Sequence, residues 1–291
     1  MSGNETGPRV AVVTGASRGA GRGIALALGD AGATVVVTGR SLTRGDSELG
    51  GTIGETAAEV TRRGGRGIPI ACDHSDERQV ATLFAEIKEA LGGIDILVSN
   101  AFSVPDGLTS PEPFWEKPLS LLSMMDVGLR STYVTAWYAA PLLIANPGRR
   151  PLIVHTSGFG AVSYMHGPAY GAVKAGVDKL AHDMAVDFRP YQVTVVSIWM
   201  GLLRTERTLR KMAEDPSQFE YSGQLTESPE FTGRVIAALD REPTKLDYSG
   251  RVLIGAELGE KLGVLDVDGT QPGSRRPLLG GPPAFHSAVV R

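Results

Sequence analysis

Tyr170 and Lys174 stand at i and i+4 in Tyr170-Gly171-Ala172-Val173-Lys174, the spacing that sets two side chains on one helical face. A phenol beside an ammonium is a tunable proton donor: free tyrosine titrates near 10, and a neighbouring positive charge favours the phenolate. Ser157, thirteen residues earlier, adds a hydroxyl able to donate to the same oxygen. The trio suits a carbonyl that gains hydride at carbon and needs a proton at oxygen. A serine nucleophile is the competing chemistry. However, His155-Thr156-Ser157-Gly158-Phe159 is not GxSxG, and Ser157 precedes Gly-Phe-Gly rather than a helix.

A second cluster lies near the start of the chain. The apolar run Val10–Val13 passes into Thr14-Gly15-Ala16-Ser17-Arg18-Gly19-Ala20-Gly21 and then into a helical pattern. Glycines at such a junction let the backbone turn sharply and approach a pyrophosphate, while the helix start offers free N–H groups and a positive dipole end. In a chain with 37 glycines a cluster alone says little. Its place after the first buried strand is what points to a dinucleotide.

The elements that must position these residues alternate. Val10–Val13, Val35–Val37, Ile68–Ala71, Ile94–Val98, Leu152–His155 and Val193–Ile198 are short apolar, β-branched runs, the pattern of strands buried on both faces. Between them Gly23–Ala31, Asp76–Leu91, Leu119–Ile144 and Ala169–Phe188 read as helices. The expectation is an α/β, Rossmann-like, doubly wound parallel sheet. One domain spans 1–291, with Gly269–Pro283 opening an extended tail over about 268–291.

Composition narrows the function. With 291 residues, 42% hydrophobic and 21% charged, the chain can bury a sizeable core. A net charge of −3 leaves no footprint for nucleic acid. Cys72 is the one cysteine and no HExxH occurs among five histidines, so neither a disulfide scaffold nor a metal site is expected. The opening residues lack a secretory pattern and no run reaches the length of a membrane helix. The expectation is a cytoplasmic protein without a membrane partner.

Gly15, Gly19 and Gly21 form TGxxxGxG, which resembles the short-chain dehydrogenase/reductase family, and the order of motifs follows that family from Val13 to Ile254. The resemblance implies an oxidoreductase with Ser157, Tyr170 and Lys174 as catalytic residues. Tyr170 would be the proton donor, Ser157 would fix the substrate oxygen, and Lys174 would hold the nicotinamide ribose and acidify Tyr170. It implies cofactor contacts from Gly15, Ser17, Arg18, Gly19, Ala20, Gly21, Asp73, His74, Asn100, Ala101, Tyr170, Lys174, Gly201 and Thr205. At the end of the second strand, Gly39 stands where NAD-type members carry Asp, and Arg40 and Ser41 follow. With Arg18 they suit a ribose 2′-phosphate, so NADP(H) is the expected cofactor.

Four positions depart from the family pattern, Ser99 standing where the family has the first asparagine of Asn-Asn-Ala-Gly. Phe102 replaces the glycine of Asn-Asn-Ala-Gly, Met200 replaces the proline before Gly201, and Gly128 replaces an asparagine that bonds a water reaching the lysine. Phe102, Phe114, Trp115, Tyr164, Met165 and Met200 suggest a hydrophobic carbonyl or alcohol as substrate, and Arg204–Leu225 a lid over it. Apolar residues on more than one face of the two long helices suggest a homodimer or homotetramer. A non-catalytic, dinucleotide-binding regulatory protein on the same fold is the alternative.

Overall fold

The computed structural model describes residues 7–145, 147–216 and 226–291. Each expected apolar run forms a strand: β1 (Val10–Val13), β2 (Thr34–Gly39), β3 (Arg66–Ala71), β4 (Ile96–Ser99), β5 (Leu152–Ser157) and β6 (Thr194–Trp199). A short pair, β7 (Leu202–Leu203) and β8 (Thr226–Glu227), stands apart, and β9 (Val252–Ile254) completes the main sheet. Seven strands run in the order β3-β2-β1-β4-β5-β6-β9, all parallel. The order reverses between β1 and β4, which opens a crevice at their carboxyl ends.

Alternation along each strand feeds two cores. Ala11, Val13, Val35 and Val37 face one side, against Ile24 and Leu28 of α1 (Gly19–Asp30), Val60 of α2 (Ile53–Arg62) and Val235 and Leu239 of a later helix, Phe231–Arg241. Val12, Val36, Ile153 and Val195 face the other. There they meet Val80 and Phe84 of α3 (Glu77–Leu91), Leu142 of α4 (Ser131–Ile144) and Ala181 of α5 (Pro168–Phe188). Asp76 caps α3, its carboxylate accepting from Arg78 N at 2.9 Å. No described helix is long and apolar enough to cross a membrane.

The structure corrects one expectation of the fold. The helix expected over Leu119–Ile144 is broken: a 3-10 turn at Leu119–Leu122 is followed by a wide turn at Met125–Arg130, and only then by α4. Val127 (φ −107°, ψ 86°) and Gly128 (φ 159°, ψ −62°) leave helical geometry there, and the latter conformation suits glycine. The extended tail touches the body of the domain. Leu279 and Phe285 pack on the cluster of Phe159, Trp199, Val252 and Ile254, the Phe285 ring lies 4.7 Å from that of His182, and Ser163 Oγ donates to Leu279 O.

Candidate active site

The crevice between β1 and β4 is lined by the glycine-rich turn. Gly15 sits at φ +65°, and a Cβ there would fall 2.7 Å from Ala101 Cα, so only glycine lets the loop lie this close. Asn100 fixes the loop from β4: its side-chain amide donates to Thr14 O at 2.9 Å and to Gly15 O at 3.3 Å. Thr14 Oγ1 accepts from the backbone N–H groups of Asn100 and Ala101, both at 2.9 Å. Ser17 is buried beneath the loop, and Ala20 lies in the first turn of α1.

At the start of α1 the Gly19 N–H donates to Glu206 Oε2 at 3.0 Å. Glu206 opens α6 (Glu206–Glu214), whose cap is Thr205, with Oγ1 accepting from Thr208 N at 3.2 Å. A carboxylate from across the cleft thus stands on a donor that a helix start offers to anions. Residue types gave no sign of this, because the pairing spans 187 positions. Part of the segment expected as a lid forms α6; positions 217–225 lie outside the described residues.

Farther along, the Arg18 guanidinium donates to Ser41 Oγ at 2.7 Å, Gly50 O at 2.7 Å and Gly51 O at 3.0 Å. Burial lowers its pKa, opposed by the nearby Glu206 carboxylate. Arg40, 73% exposed, pairs with Asp73 Oδ2 at 3.7 Å, while Asp73 Oδ1 accepts from Ser75 N and Oγ. Arg18, Ser41, Arg40 and Asp73 therefore gather beyond β2. His74 departs from expectation. Its ring is buried and hydrogen-bonded through Nε2 to Thr38 Oγ1 at 2.6 Å, and burial pushes its pKa down to about 4. The ring stands against Thr38 of β2 and the Cys72 thiol.

Ser157 ends β5, and Tyr170 and Lys174 lie in the first two turns of α5. The Tyr170 ring rests on Gly160, where a Cβ would stand 2.4 Å from Tyr170 Cε1. A Cβ on Gly158 would lie 3.8 Å from Tyr170 Oη, which puts the hydroxyl beside the end of β5. Ser157 Oγ bonds Lys174 O at 3.2 Å. Ring edges from Phe102 (centroids 5.9 Å apart) and His166 (5.1 Å) flank Tyr170. One turn beyond Lys174, the fully buried Asp178 carboxylate accepts from Ser197 Oγ at 2.6 Å and Trp199 Nε1 at 2.8 Å.

Burial governs the titration of this group. It pushes the Tyr170 phenol up to about 12 and the Lys174 ammonium down to about 8, with Asp178 opposing the latter shift. A neutral phenol beside a largely charged ammonium is the protonation state of a proton donor near neutral pH.

Gly201 and Thr205 follow β6. Gly201 N donates to Glu227 Oε1 at 2.9 Å, a carboxyl that burial pushes up to about 7. Glu227, Asp178 and Glu206 escaped the sequence reading, since a lone acidic residue carries no pattern. Beside Tyr170 a small apolar cleft is lined by Phe114, Lys117, Leu121, Leu122, His166 and Ala169 among others. Trp115 and Tyr164, expected near the pocket, are 72% and 81% exposed, and Met165 packs on the Phe159–Trp199 cluster.

A parallel sheet with a glycine-rich turn at its switch point, and a serine, tyrosine and lysine beside it, defines a dinucleotide-dependent oxidoreductase fold. The short chain dehydrogenase family profile matches residues 9–215, and the chain belongs to that family, whose cofactor is NAD(P)(H). It is 40% identical over 272 residues to Dehydrogenase/reductase SDR family member 1 of Mus musculus and of Homo sapiens, covering 90% of this chain and 84% of each relative. A putative dehydrogenase from Xanthomonas campestris of known crystal structure superposes with a TM-score of 0.75. It is 27% identical and is matched over 97% of this chain and 98% of its own.

The cradle fits a dinucleotide: Gly15 keeps the turn bare, and the Gly19 amide already holds an oxyanion. A pyrophosphate bound at that amide would have to displace Glu206. Glu206→Gln is expected to tighten binding of NADPH and NADH alike by roughly 2–5-fold, the scale of one charge at a helix start. Titration followed by the fluorescence of the reduced nicotinamide measures this; equal affinities in mutant and parent would show that Glu206 does not compete.

Proposed function

We propose that this oxidoreductase interconverts a hydrophobic carbonyl compound and its alcohol with NADP(H), using Ser157, Tyr170 and Lys174. The observation that carries the reading is the convergence of the three side chains at the end of β5, beside the crevice. When bound, the nicotinamide supplies or accepts the hydride. Tyr170, neutral at working pH, gives its proton to the developing alkoxide in reduction. Ser157 donates to the same oxygen and fixes its distance. Lys174 holds the nicotinamide ribose and keeps a positive charge near the phenol. Gly15, Ser17, Gly19, Ala20 and Gly21 hold the phosphates, and Asn100, Ala101, Gly201 and Thr205 border the nicotinamide end. The mostly apolar lining beside Tyr170 favours substrates without extensive charge.

The preference for NADP(H) rests on Arg18, Ser41 and Arg40. No carboxylate stands at Gly39 to bind a ribose 2′-OH or repel a 2′-phosphate. Arg18 is the better-placed cation, already fixed against Ser41, and Arg40 would leave Asp73 for the phosphate at small cost in water. Assembly as a homodimer or homotetramer is supported by α4, which turns Tyr133 and Trp137, 53% and 61% exposed, outward at i and i+4.

Three outcomes test the reading. Against a panel of aromatic and aliphatic ketones and aldehydes, Tyr170→Phe should lower turnover on the order of 10²–10⁴-fold at unchanged NADPH affinity, and Lys174→Ala should damage both. Retained turnover in Tyr170→Phe would refute its role as proton donor. Arg18→Ala and Arg40→Ala should each weaken NADPH more than NADH. One charge-assisted bond contributes about 1.5–3 kcal/mol, or roughly 10–100-fold. Equal affinity of the parent for both cofactors would overturn the preference. Light scattering should give particles larger than the 30.7 kDa chain; only monomers would reject the assembly.

A further inference from the structure

Two departures from the family pattern meet in space. A Cβ on Gly128 would stand 3.0 Å from Cδ2 and Cε2 of Phe102, so the ring occupies the room that a side chain at position 128 needs. The same ring lies under Lys174, whose Nζ is 4.4 Å from the Phe102 centroid. Its plane is nearly perpendicular to the Tyr170 ring, at 85°. No hydrogen bond from the Lys174 ammonium is found among the described residues, although the residue is 6% exposed. A cation drawn from water against an aromatic face is attracted by the ring quadrupole.

We propose that Phe102 is a positioning residue for Lys174: its aromatic face holds the ammonium beside Tyr170, in place of the amide and water that an asparagine at position 128 would supply. The inference rests on the Ser157–Tyr170–Lys174 reading above. It also explains why the two departures occur together, since a ring at 102 needs glycine at 128, and glycine at 128 leaves the ammonium in need of a partner.

The other groups around Lys174 are few. From α5 itself come Tyr170 and Asp178, and from β5 come Ser157 and His155, the latter buried with both ring nitrogens unbonded. Ser197 and Trp199 of β6 are engaged with Asp178. The turn Met125–Arg130 packs on α5 but keeps Asp126 and Arg130 exposed, with Arg130 on Glu77 at 2.8 Å. Asp178 and Phe102 therefore favour the charged amine, and burial opposes them.

The test reads the amine directly and needs no substrate. In protein carrying lysine labelled with ¹³C at Cε, the Lys174 resonance is assigned by its loss in Lys174→Arg and titrated with pH. Stepwise fluorination of the Phe102 ring keeps its shape and weakens its negative face. The midpoint should fall with each fluorine, by about 0.5–1.5 pH units in all, and Phe102→Leu should match the most fluorinated ring. A midpoint unmoved across the series would overturn the proposal and leave Phe102 as a space-filler, even if Phe102→Leu lost activity. The Tyr170→Phe turnover measurement fails or holds independently, so failure of the site reading is told apart from failure of this one.

Discussion

The buried carboxylate of Asp178 is the point from which the chemical centre is held. It stands on α5 and takes hydrogen bonds from Ser197 and Trp199 of β6, while Ser157 of β5 donates to Lys174 O on the same helix. A helix packed on a sheet by apolar contact alone can slide by a fraction of a turn, because such contacts lack direction. Directional bonds to a fully buried anion do not permit that, and an unpaired donor here would carry its whole desolvation cost. Tyr170 and Lys174 ride on the same helix, two turns and one turn before Asp178. Their register against β5 follows from it.

The cofactor side is organised by different physics. There the donors are backbone amides, and side chains act mainly by being small or by tying loops together. Asn100 and Thr14 clamp the turn to β4, while Gly15 lets it approach Ala101. The recognition surface is thus made before any ligand arrives, and it draws an anion even from within the chain, as Glu206 demonstrates. The two halves of the site meet at Phe102 and Asn100, neighbours in one loop.

Much of this was legible in the residues. β-branched runs such as Val10–Val13 and Val193–Ile198 gave the parallel sheet, since burial on both faces leaves a continuous apolar signature. The Tyr170–Lys174 spacing and the glycine turn located both halves of the site. What stayed hidden depended on tertiary contact. The break at Gly128 looks like tolerated helix glycine until Phe102 is seen beside it. His74 resembles a cleft residue because it follows a strand end, yet its ring found Thr38. The tail, rich in glycine and proline, carries Leu279 and Phe285 at no regular period, so their docking left no pattern to read.

That docking has a bearing on biosynthesis. Leu279 and Phe285 pack on the cluster that contains Trp199, and Trp199 gives its indole N–H to Asp178. The floor of the centre is therefore covered by residues made eighty or more positions later than the tryptophan they shelter. Contacts so distant in sequence are late and slow to form. The tryptophan and its cover are thus joined only once residue 285 has been made.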